Sequence, residues 1–121
     1  MTRVLIVDDS PTETYLLREM LERNGFQVSV AESGETGISM AKTSHPDIIL
    51  MDIVMPGVNG FQATRKLSKD PATASIPIVI ISTKDQDTDR IWGMRQGARD
   101  YLTKPVMEKD LLSKIQGAMG G

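Results

Sequence analysis

Three stretches of the chain are continuously apolar: residues 4–7, 48–51 and 78–81. Runs this short, with no polar alternation, predict strands covered on both faces. Two weaker segments have the look of sheet edges. QVSVAES at 27–33 alternates Val28 and Val30 with polar residues, and ARDYLTK at 98–104 is short and mixed. Between these runs the apolar period becomes helical. Ser10-Pro11-Thr12-Glu13 reads as a capping box with proline at the first helical position. The helix it opens carries Leu16, Leu17, Met20 and Leu21 on one face and stops at Asn24–Gly25. Asn59 with Gln62 predicts a second cap, ahead of Phe61 and Leu67. Asp85, Asp87 and Asp89 cluster where a fourth helix should begin, the end that favours negative charge. Leu111, Leu112, Ile115, Ala118 and Met119 form the expected buried stripe of the last helix.

Five strands alternating with five helices place the chain in the α/β class, as a single (βα)₅ doubly wound sheet of five parallel strands. Two edge-like and three buried strands fit the flavodoxin-like order 2-1-3-4-5. A length of 121 residues suits one domain spanning 1–121, and 40% hydrophobic content suffices for its core. The formal net charge of −2, from 14 basic and 16 acidic residues, gives no electrostatic reason to expect nucleic acid or anionic membrane as a partner. The absence of cysteine excludes disulfides, thiolate metal sites and thiol nucleophiles. Apolar runs such as IVII at 78–81 are too short to cross a bilayer, and the first residues show no signal-peptide pattern. A cytoplasmic globular protein without membrane insertion is the expectation.

The sheet order gives the polar strand ends a meaning. In such sheets ligands bind beyond the carboxyl ends of the strands, at the switch point between strands 1 and 3. The first strand ends in IVDDSP, with Asp8 and Asp9 adjacent; the third ends at Asp52, in LMDIVMPGVNG. Three carboxylates should therefore share one crevice. Like charges there repel by roughly several kcal/mol, and a proton or cation must relieve them. An all-oxygen, acid-rich site suits a hard divalent ion, Mg²⁺ above all. Capping alone does not account for the pair, because Ser10 already fills the cap position. Asp52 by itself could be an ordinary polar strand end; beside the other two it becomes a candidate nucleophile toward a phosphoryl group. The fourth strand ends at Ser82–Thr83 and the fifth at Lys104–Pro105, a hydroxyl and a point charge suited to phosphate.

With Asp8–Asp9, Asp52, MPGVNG, Ser82–Thr83 and YLTKP at 101–105 in place, the chain resembles a bacterial response-regulator receiver domain of the CheY-like family, from Thr2 to the final helix. That resemblance implies a phosphoacceptor signalling protein of a two-component phosphorelay rather than an enzyme acting on other substrates. Asp52 would accept the phosphoryl group from a chemotaxis-type histidine kinase. Mg²⁺ would be bound by Asp9 directly, by Asp8 largely through water, by Asp52 and by the backbone carbonyl of Val54. Ser82 would hydrogen-bond the phosphoryl group, Lys104 would pair with it, and the bond before Pro105 would be cis. Tyr101 would be a switch aromatic that follows Ser82. A downstream protein would dock on the face of helix 4, strand 5 and helix 5. VDDSPTE, MDIVMPGVNGFQATR and STKDQDTDRIWGMRQGARDYLTKPV further resemble the PilH-type regulators of the chemotaxis-like system that controls type IV pili, implying twitching motility. Sister PilG-type and other free-standing receivers share much of the pattern. No output domain is expected after the last helix, so the signal would be protein docking or withdrawal of phosphate from a competing regulator.

Other readings fit less well. A flavodoxin-type electron carrier needs a hydroxyl- and glycine-rich loop where this chain has DDSPTE. A haloacid-dehalogenase-type phosphatase needs D-x-D-x-T, whereas the carboxylates here are adjacent. A phosphorylation-independent module on the same scaffold would not need the intact set of Asp8, Asp9, Asp52, Ser82 and Lys104. His45, the single histidine, is expected at the surface, and the eight methionines largely in packing roles. Trp92 is placed either on a partner-facing side of helix 4 or in edge packing, a helical step from an Ile91–Met94 stripe.

Overall fold

The computed structural model describes residues 1–120. The elements run β1 (Arg3–Val7), α1 (Pro11–Glu22), β2 (Gln27–Ala31), α2 (Gly34–Ser44), β3 (Ile48–Met51), α3 (Gly60–Lys69), β4 (Ile78–Ser82), α4 (Asp87–Arg95), β5 (Asp100–Thr103) and α5 (Glu108–Gly120). The five strands form one sheet in the order β2-β1-β3-β4-β5, with every pairing parallel. The expected architecture and strand order are both observed.

Strand alternation divides the core into two layers. Val4, Ile6, Ile48, Leu50, Val79 and Ile81 face Leu17 and Leu21 of α1 and Leu111, Ile115 and Ala118 of α5. Leu5, Val7, Ile49, Met51 and Ile78 face Ala41 of α2 and Ala63 and Leu67 of α3. Each fully buried aliphatic side chain contributes about 1.5–3 kcal/mol, so the continuous apolar runs are the energetic reason for the sheet. A third, smaller cluster joins Ile53, Ile80, Ala98 and Tyr101, with Phe61 against them. Among the described residues, no helix is long and apolar enough to cross a membrane.

Several helix faces differ from expectation. Leu16 and Met119 are exposed, and Leu112 is only partly covered, because a period defines a stripe but not how much of it a neighbour reaches. The helix 4 stripe is the clearest correction: Ile91, Trp92 and Met94 are all about half exposed, and Gly93 is the buried residue of α4. A Cβ at Gly93 would lie 2.7 Å from Ile80 Cδ1, so the helix seats its backbone, not a side chain, on the sheet. Of the methionines, Met51 and Met55 are buried and Met20 and Met40 partly so, while Met1, Met94, Met107 and Met119 are exposed. His45 is exposed in a left-handed conformation (φ 48°) just after α2, as a surface role requires.

Candidate functional site

The sheet ladder itself positions the polar strand ends. One residue beyond each strand, a main-chain bond still ties the chain to its neighbour. Asp8 N donates to Ala31 O at 3.0 Å, Asp52 N to Val7 O at 2.9 Å, and Lys104 N to Ser82 O at 2.8 Å. Asp8, Asp52 and Lys104 therefore emerge at the same end of one rigid sheet, as parallel order demands.

Lys104 is the hub. Its ammonium donates to Asp8 Oδ2 at 3.2 Å and Asp52 Oδ1 at 3.3 Å, and also to the carboxylate of Glu13 in the first turn of α1. Asp8 and Asp52 are 2% and 8% exposed, so both carboxyls have lost most of their water. Burial pushes the Asp52 carboxyl up to about 6; Lys104 opposes the shift and the Asp8 charge adds to it. Burial raises Asp8 as well, against the Ser10 amide and Lys104. For Lys104, burial would lower the ammonium, but Glu13, Asp52 and Asp8 together hold it above its ordinary value.

Asp8, Glu13 and Asp52 each present a carboxylate oxygen within 4.8 Å of the others. Asp9 is exposed and is not one of these three, and Val54 is exposed on the loop after Asp52. That loop is shaped by close backbone approach. A Cβ at Gly60 would lie 1.9 Å from the Asp52 carbonyl oxygen, so only glycine lets α3 start beneath the strand end. Asn59 and Gln62 make the full reciprocal cap there.

Ser82 is fully buried at the end of β4, and its Oγ accepts the Lys84 amide at 3.1 Å. Tyr101 is 2% exposed; its hydroxyl donates to Lys84 O at 2.6 Å, and the Arg90 guanidinium lies 5.1 Å from the ring centroid. The Lys104–Pro105 bond is cis. Beside Lys104 and Glu13, a cavity of 380 Å³ is walled by Leu16, Leu17, Met20 and Val106.

Glu13 is the residue that sequence reasoning left out of the site. It was absorbed by the capping-box reading, of which only half is made: Ser10 Oγ accepts Glu13 N at 3.3 Å, but Ser10 N donates to Asp8 Oδ1 at 2.9 Å. The available signal was a carboxylate in the first helical turn after Asp8–Asp9, on the chain segment that leaves the same strand end.

Residues 4–116 match the family model described as the response regulator receiver domain. The chain belongs to the response regulator receiver family. It is similar to Protein PilH of Pseudomonas aeruginosa, 60% identical over 121 residues that span both chains completely. Among solved receiver structures it is similar to the chemotaxis protein CheY4 of Vibrio cholerae, at 27% identity, 98% coverage of both chains and a TM-score of 0.91. It also resembles the receiver domain of sensor histidine kinase PA1611 from Pseudomonas aeruginosa, whose active-site cleft coordinates a magnesium ion. That match has 28% identity, a TM-score of 0.91 and coverage of 99% of this chain and 98% of that one. As a receiver, the chain is a signalling protein of two-component type.

Proposed function

We propose that this receiver accepts a phosphoryl group on Asp52 from a chemotaxis-type histidine kinase and signals by altered docking to a protein partner in the cytoplasm. The observation that carries the proposal is the desolvated pair of Asp8 and Asp52 joined by one largely covered ammonium, Lys104. An ionised Asp52 oxygen attacks phosphorus, the P–N bond to the donor imidazole breaks, and its electron pair stays on that nitrogen. The product is an acyl phosphate on Asp52. Lys104, already 3.3 Å from Asp52 Oδ1, meets the negative charge that arrives. Ser82 Oγ accepts the Lys84 amide, and its hydroxyl proton would turn to a phosphoryl oxygen.

The carboxylate oxygens of Asp8, Glu13 and Asp52 are hard donors that suit a hard divalent cation, and the chain has no cysteine to offer a soft one. When bound, Mg²⁺ would neutralise the crowded oxygens of the carboxylates and the phosphoryl group. By family resemblance Asp9, Asp52 and the Val54 carbonyl would hold it, with Asp8 supporting through water. The magnesium ion in the active-site cleft of the PA1611 receiver supports a magnesium site in the matching cleft here.

Tyr101 lies between Ser82 and the α4–β5–α5 face, with its hydroxyl fixed to the carbonyl of Lys84. A shift of Ser82 and its loop toward phosphate would alter that bond and with it the surface that carries Ile91, Trp92 and Met94. Similarity to PilH supports a place in type IV pilus twitching motility.

The test is incubation with Mg²⁺ and acetyl phosphate, read by intact mass. One phosphoryl group should add to the protein, and none to Asp52→Ala or after chelation of the metal. Addition that survives Asp52→Ala would overturn the assignment.

A further inference from the structure

Lys104 has three N–H donors, and three carboxylates take them: Asp8, Asp52 and Glu13. In this structure all three donors of the ammonium are therefore engaged. An acyl phosphate on Asp52 brings new acceptor oxygens to the same spot, and Lys104 can serve them only by leaving a partner.

Which partner it leaves follows from burial. The side chains of Asp8 and Asp52 are 2% and 10% exposed, so stranding either carboxylate carries a desolvation cost. The Glu13 side chain is 39% exposed and is readily rehydrated. Glu13 is also not held by the duty its position suggests. The Ser10 amide that an N3 glutamate would cap is taken by Asp8 Oδ1, so the Glu13 carboxylate reaches out to Lys104.

We propose that Glu13 is a positioning residue that acts through Lys104 as a brake on the phosphorylated state. It grips the ammonium while Asp52 is free and must release it when a phosphoryl group is accepted. Release leaves a carboxylate next to a phosphoryl dianion, which adds to the bias toward the unphosphorylated form. By linkage, whatever pulls Glu13 off Lys104 favours phosphorylation. The brake rests on the reading of Asp52 as phosphoacceptor, but the pairing beneath it does not.

Two measurements separate them. Urea unfolding of Glu13→Gln, Lys104→Met and the double variant, without metal or phosphoryl mimic, reads the pair alone. Non-additive midpoints are expected, and additive ones overturn the grip. Titration with beryllofluoride in the presence of Mg²⁺, followed by fluorine NMR, reads the brake. Glu13→Gln should bind the anion roughly 2- to 5-fold tighter than the wild type, the scale of a partly exposed ion pair. Unchanged or weaker binding by Glu13→Gln overturns the brake. No uptake by the wild type would instead remove the phosphoacceptor reading of Asp52 and the brake with it, leaving the urea cycle to decide the pair.

Discussion

Asp52 carries a conflict that shows in the pH dependence of stability. Burial lifts its carboxyl to about 6, above the unfolded value near 4. The folded state therefore holds the proton more tightly, and stability falls as pH rises from about 4 to about 6, then levels off. At pH 8, without metal, ionised Asp52 costs the fold ~2–3 kcal/mol on this reckoning. Asp52→Asn removes the charge with little change of shape and should stabilise the protein by roughly 2 kcal/mol there. The gain should vanish by about pH 4, where the wild-type carboxyl is protonated anyway. Urea midpoints across that range check it; a constant difference would mean that the charge is not the cause. The same conflict made the site partly legible. Two adjacent aspartates ending an apolar strand demand an explanation, and the sheet order supplies Asp52 and Lys104. Glu13 escaped because a glutamate at N3 has a sufficient local reason to exist, and nothing local says that Asp8 has taken the bond.

At the scale of elements, α3 and α4 show what a pattern reveals and what it hides. The start of α3 was legible because Asn59 and Gln62 are a local device, and both bonds form. Removing the cap by Asn59→Ala should cost about 1 kcal/mol. Gly60 is a different matter, since a methyl there would meet the Asp52 carbonyl at 1.9 Å. Gly60→Ala should cost more than about 2 kcal/mol by forcing backbone apart, and should lower phosphorylation by acetyl phosphate as the Asp52–Val54 segment shifts. Equal losses for the two variants would show that the close approach is not a constraint. In α4, apolar residues suggested a buried stripe, but a stripe is buried only if its neighbour reaches it. Gly93 brings the backbone down onto Ile80 and Tyr101, and Ile91, Trp92 and Met94 remain outside. Little side-chain burial holds this helix. Its amides should exchange faster than those of α1 and α5, which hydrogen-exchange mass spectrometry can resolve.

Across the whole molecule, the sheet separates two cores and presents the site at the edge where both end. Ile78 belongs to the layer under α2 and α3, and Ile115 to the layer under α1 and α5. Neither cluster contains Tyr101, Ile80 or Ile53, which form their own group next to Ser82. On the proposed reading of Asp52 as phosphoacceptor, a signal to α4 would run through this group along β4 and β5 rather than through either layer. If the layers are independent, Ile78→Val and Ile115→Val should each cost about 0.5–1.5 kcal/mol and add to within about 0.5 kcal/mol in the double variant. Neither should alter the phosphorylated fraction reached with acetyl phosphate. Coupling between the two substitutions, read from urea midpoints, would place the layers themselves in the path between the site and the α4 face.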